Sequence, residues 1–91
     1  MIISIKEARD TLRVDDEDND PIIEPLVEAI PYYLEVTTGK AWDDEPVHPL
    51  AKTVAKFLLQ LWFDPQTQDS VRIQRTIDNL LTSLTAQARS M

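Results

Sequence analysis

The chain contains no cysteine and a single glycine among its 91 residues. Without cysteine there is no disulfide framework, no thiolate nucleophile and no Cys-ligated zinc site. One glycine excludes a glycine-rich phosphate loop. No run approaches the roughly 18 consecutive apolar residues of a membrane span. The opening Met1-Ile2-Ile3-Ser4-Ile5-Lys6-Glu7 lacks the basic flank and the long apolar stretch of a signal peptide. Basic side chains are also few, 9 against 16 acidic ones, which leaves a net charge of −7 and a pI near 4.4. Gripping nucleic acid phosphates needs clustered Lys and Arg, so this balance argues against it.

What is present is a globular composition, 43% hydrophobic and 27% charged. The length suits one small domain over residues 1–91, without repeats or low-complexity segments. A domain of this size buries only about 60–65% of its unfolded surface, so its core is thin. Assembly with copies of itself or with a partner is an expected source of further stability.

Apolar spacing is helical almost throughout and predicts an all-α bundle of about four helices. Ser4 and Glu7 fit a capping box, with Ile5, Ala8 and Leu12 following at helical spacing to an end near Arg13 or Val14. The acidic run Asp15 to Asp20 precedes Pro21, a helix-start signal that also suits the positive end of the helix dipole. A second helix is expected from about Pro21 to Thr38. Ile22, Leu26, Ile30 and Tyr33, with Ile23, Val27 and Leu34, form its apolar stripe, and Glu24, Glu28 and Glu35 fall opposite. Pro25 removes one hydrogen bond, interior Pro31 should kink the helix, and Gly39 suits a left-handed cap. The third helix, from Pro49 to about Phe63, is apolar around most of its circumference and should be largely buried. Asp64-Pro65 stops it. Ile73, Ile77, Leu80, Leu81 and Leu84 place a fourth helix from about Ser70 to Thr85, leaving residues 85–91 as a frayed tail.

Candidate chemistry is sparse. Asp16, Asp18 and Asp20 imitate the first ligands of a calcium loop, but the turn glycine is replaced by Pro21 and the closing glutamate by Val27. The simpler reading is a solvated helix-start cluster, and no metal or cofactor is expected. His48, the only histidine, stands beside a helix-starting proline and reads as a capping or surface residue. No spacing supports a nucleophile with its base, so catalysis is not expected. Trp42, in a loop with Asp43, Asp44 and Glu45, either covers the core edge or meets a partner. Charge is divided along the chain: residues 1–47 carry a net −9 and residues 48–91 a net +2.

The order of these features resembles a known family. Ile5-Lys6-Glu7-Ala8-Arg9-Asp10-Thr11-Leu12-Arg13-Val14 leads into the acidic run. Asp20-Pro21-Ile22-Ile23-Glu24-Pro25-Leu26-Val27-Glu28-Ala29 follows, closed by Thr37-Thr38-Gly39-Lys40. Pro49 then opens an apolar helix ending in Trp62-Phe63. Over most of residues 3–63 this is similar to the small head–tail connector (adaptor) proteins of long-tailed bacteriophages and their prophage relatives. Pro25, Pro31 and Asp64-Pro65 depart from the family pattern, and the fourth helix is longer than the family suggests.

The resemblance implies a helical, non-enzymatic virion subunit that forms a ring of copies of itself, about a dozen as in the family. The ring would sit between the portal protein at the capsid vertex and the tail-joining proteins. It would extend the channel through which DNA leaves without being bound specifically. Its place is the head–tail junction of the virion, reached from the host bacterial cytoplasm, with no membrane partner. A chain with an acidic first half and a mildly basic second half can supply the two unlike surfaces a ring requires. The expected contacts are Glu24, Glu28 or the 15–18 acids of one subunit against Lys52, Lys56, Arg72 or Arg75 of the next, with Glu35 and Trp42 as further interface candidates; the alternative is that the lysines pair within the subunit or face water. The channel is expected to be lined mainly by acids of the first half, because a basic lining would hold DNA. The alternative is a small acidic regulator that imitates DNA charge and blocks a nucleic-acid-handling enzyme. An enzyme accessory subunit is a third reading.

Overall fold

Four helices account for the secondary structure of the computed structural model, which describes residues 2–90. They are α1 (Ile5–Leu12), α2 (Asp20–Thr38), α3 (Pro49–Phe63) and α4 (Ser70–Arg89), with no strand among the described residues. The all-α bundle expected from the spacing is therefore the fold.

Each helix end has a local cause. The Ser4 hydroxyl accepts the Glu7 N–H at 3.0 Å, and the Glu7 carboxylate accepts the Ser4 N–H at 3.0 Å, so the capping box is complete. Ile3 and Ala8, the residues before the cap and four after it, are both buried, as a hydrophobic staple requires. Arg13 closes α1 in the left-handed conformation, φ 60°. α2 ends on Gly39, φ 94°, whose N–H donates to the Glu35 carbonyl at 2.9 Å. An added Cβ there would meet nothing within 4 Å, so backbone conformation alone selects glycine. His48 caps α3, its Nδ1 accepting the Leu50 N–H at 3.1 Å. α2 continues through Pro25 and Pro31 as one helix.

α2, α3 and α4 pack against one another pairwise, and α1 lies against α2 and α3. One hydrophobic core joins them. α3 contributes Ala51, Val54, Ala55, Leu58 and Leu59, all buried, which makes it the central helix as its composition predicts. α2 adds Ile23, Val27, Ile30 and Leu34, and α4 adds Ile77 and Leu84. Tyr33 of α2 meets Trp62 of α3 edge to face, ring centroids 5.4 Å apart.

Three features differ from the sequence reading. α4 runs four residues past Thr85 to Arg89, because Leu84 is buried and Ala88 packs against the core. The end of the expected frayed tail, Met91, lies outside the described residues. Ile2 and Ile3, ahead of α1, are core residues although no periodicity marks them. Ile22, placed on the core stripe of the second helix, is 58% exposed, because the helix turns Ile23 inward instead.

Candidate functional site

No buried catalytic constellation emerges among the described residues. They contain no group of three or more His, Asp or Glu placed to hold a metal ion, and no helix long and apolar enough to cross a membrane. The features that call for an explanation lie on the outside of α2 and α4.

α2 has two apolar faces. One is the core face just described. The other is exposed and consists of Ile22, Pro25, Ala29, Tyr32 and Val36. Their spacing of three, four, three and four residues keeps them on one side of a helix with 3.6 residues per turn. Tyr32 is 74% exposed and Val36 86% exposed. Among the described residues the only other exposed large hydrophobic is Val71, on α4. Three of these four residues therefore share one helix face, which is not the scattered pattern of an ordinary surface.

Acids border this stripe. Glu24, Glu28 and Glu35 are exposed along the adjacent edge of α2, between the outer stripe and the core. A groove opens there between α2 and the segment that follows it. Its floor includes Val27, Pro31 and Ala41, and Tyr32, Glu28, Glu35 and Asp43 also line it. The groove is therefore apolar at its base and negative at its rim.

The segment forming its far wall is fixed by Trp42. This residue is buried, and its indole N–H donates to the Thr38 hydroxyl at 2.9 Å. Thr38 in turn donates to the Leu34 carbonyl at 2.7 Å. The Lys40 ammonium lies 4.7 Å from the centre of the Trp42 ring, and His48 meets that ring edge to face. Trp42 thus covers the core edge, one of the two roles its sequence position left open. Its neighbours Asp43, Asp44 and Glu45 remain exposed.

The basic candidates separate into two groups. Lys52 is paired within the subunit, its ammonium 2.9 Å from the Glu7 carboxylate. Arg72 lies 3.0 Å from Asp69, one helical turn away, in an exposed pair. Lys56 and Arg75 are exposed and form no ion pair among the described residues. Arg75 stands with Val71 at a shallow groove where the end of α3 meets α4, lined also by Leu61, Pro65 and the acid Asp78. Around Val71, then, an exposed apolar side chain has the cation Arg75 beside it, while Arg72 is turned to Asp69 and Asp78 borders the same groove.

The strongest ion pair was not legible in the sequence. Arg9 grips Asp20 with both oxygens engaged, at 2.9 and 2.7 Å, and so fastens α1 to the first residue of α2. The guanidinium holds the Asp20 carboxyl below its ordinary pKa. The Ser4 N–H, then the Lys52 ammonium, lower Glu7 in the same way. Asp15 to Asp18 are exposed, and the Asp18 N–H donates to the Asp16 carboxylate at 3.1 Å. The exposed stripe could have been found by continuing the helical count along α2 beyond its core face. Compared with known proteins, the chain matches no family model, no curated protein and no solved structure.

Proposed function

We propose that this chain is a structural subunit that assembles with copies of itself into a ring at the head–tail junction of a tailed bacteriophage. The ring joins the portal protein to the tail-joining proteins and carries the DNA exit channel through its centre. The observation that carries the reading is the second apolar face of α2. A monomer gains nothing by exposing Ile22, Tyr32 and Val36 along one helix, whereas a subunit covered by neighbours does. The order of the sequence motifs over residues 3–63 supplies the particular setting. The exposed acids of the first half, Asp15 to Asp18 and Asp43 to Glu45, suit a channel that repels DNA and keeps it centred. No enzymatic step is part of the proposal, and the subunit reaches the virion from the host cytoplasm.

Sedimentation over a wide concentration range, with electron microscopy of the heaviest fraction, tests the reading. A closed ring of many copies is expected, alone or in the presence of the portal protein. A chain that remains monomeric with both portal and tail-joining proteins refutes it. Duplex DNA should bind weakly at physiological salt, and a submicromolar Kd would overturn the acidic channel.

A second reading has one specific observation in its favour: Glu24, Glu28 and Glu35 form a row of exposed carboxylates on a rigid helix. A regulator that imitates DNA charge needs such a row. It predicts a monomer or dimer that captures a nucleic-acid-handling enzyme, and it leaves the adjoining apolar stripe without a purpose.

A further inference from the structure

We infer that the acid-rimmed groove beside α2 receives the Val71–Arg75 turn of α4 from a second copy of this chain. The inference rests on the assembly reading above and assigns the two surfaces that meet. It follows from elimination and from charge. An occupant of the groove must be apolar enough to cover Pro31 and Tyr32, and cationic enough to meet the acids Glu28, Glu35 and Asp43. Among the described residues, the exposed large hydrophobic outside α2 is Val71, and a cation stands beside it. Val71 is 71% exposed, and Arg75, four residues further along the same helix, is exposed and forms no ion pair among the described residues, whereas Arg72 is held by Asp69. Lys52 is already held by Glu7, and Lys56 has no exposed large hydrophobic beside it on α3.

Geometry decides the kind of contact. The groove belongs to α2 and the turn to α4, so the two surfaces are different patches of one subunit. Such a contact is heterologous, and repeated from copy to copy it closes into a ring or continues as a filament. The area required is available. A stable interface needs about 800 Å² from each partner. Two such faces per subunit take up somewhat more than a quarter of the 5842 Å² accessible surface. The exposed stripe of α2 from Ile22 to Val36 runs about 21 Å at 1.5 Å per residue and forms one part of such a face. The acids act at the rim, where they choose the partner and its register, while the apolar stripe and Val71 supply most of the association.

The absence of native cysteine makes the test clean. A chain carrying Glu28→Cys and Arg75→Cys is treated with a short bis-maleimide and resolved under denaturing conditions. The expected result is a ladder extending well beyond the dimer, with neither single-cysteine chain passing the dimer. In parallel, Glu28→Lys and Arg75→Glu are each expected to weaken assembly at least tenfold, and the two reversals together to recover most of it. Both positions are exposed, and circular dichroism confirms that each variant remains folded. A doubly linked dimer with no higher species overturns the head-to-tail contact. Assembly of the unmodified chain without a ladder, and without response to the reversals, overturns the assigned surfaces but leaves the ring reading standing. A chain that neither assembles to millimolar concentration nor cross-links overturns the self-contact, and leaves the ring reading dependent on the portal protein as template.

Discussion

Replacing Thr38 by valine tests whether the wall of the groove is held by one hydrogen bond. The two side chains have nearly the same shape, so the substitution leaves no cavity and removes only the hydroxyl. Thr38 is 5% exposed and Trp42 is 3% exposed. In the native protein the hydroxyl accepts the indole N–H at 2.9 Å and the Lys40 N–H at 3.3 Å, and donates to the Leu34 carbonyl at 2.7 Å. Valine strands the indole N–H in a dry site. A buried donor left without a partner costs about 1–3 kcal/mol. We therefore expect Thr38→Val to lower stability by about 2 kcal/mol, in the middle of that range. At about 4–8 °C per kcal/mol for a domain of this size, the melting temperature falls by roughly 8–16 °C. Urea unfolding followed by far-UV circular dichroism measures the change, with an unchanged denaturant slope confirming that the native state stays compact. The decisive comparison is the same substitution in a Trp42→Phe background. There the donor is already gone, and the cost should drop below about 1 kcal/mol. Equal costs in the two backgrounds, or a loss under about 0.5 kcal/mol in the native background, refute the argument. Because Ala41 and Asp43 adjoin Trp42 and line the groove, amide exchange in that segment should rise more than in α3.

Three further outcomes follow from the same structure. Val36→Ser should leave monomer stability within about 0.5 kcal/mol, since Val36 is 86% exposed, yet weaken self-association about tenfold by removing up to about 1.5 kcal/mol of apolar burial per contact; unfolding and sedimentation of one sample separate the two effects. Glu7 and Asp20 have folded pKa values below their ordinary ones of 4.5 and 3.8, so their stabilisation is present at neutral pH and is lost as pH falls below those ordinary values and through the lower folded ones. The double variant Glu7→Gln with Asp20→Asn, which keeps the polar cap and removes both charges, should show a shallower acid limb in stability measured against pH. Arg13→Gly should raise stability by about 0.5–1 kcal/mol in thermal unfolding, because Arg13 is exposed and sits at φ 60°, where a side chain is disfavoured.

The helices were legible in the amino-acid order alone, because the signals that start and stop them are local. Ser4 with Glu7, Pro49 after His48, Gly39 and Asp64-Pro65 each act within one turn, and each stands where its chemistry places it. The central position of α3 was legible for a related reason: a helix apolar around most of its surface has to be covered on more than one side. Contacts between elements distant in the chain were not legible. Nothing local pairs Arg9 with Asp20 or Lys52 with Glu7, because each pair exists only after helices dock. Trp42 shows the same limit, since its loop looks polar and its burial depends on a hydroxyl four residues earlier. α2 states the division most clearly. Its composition supplies apolar residues for two faces, and periodicity marks both without ranking them. Packing against α3 and α4 chose the face through Ile23, Val27, Ile30 and Leu34, and left Ile22, Tyr32 and Val36 outside, because one bundle can cover only one side of that helix.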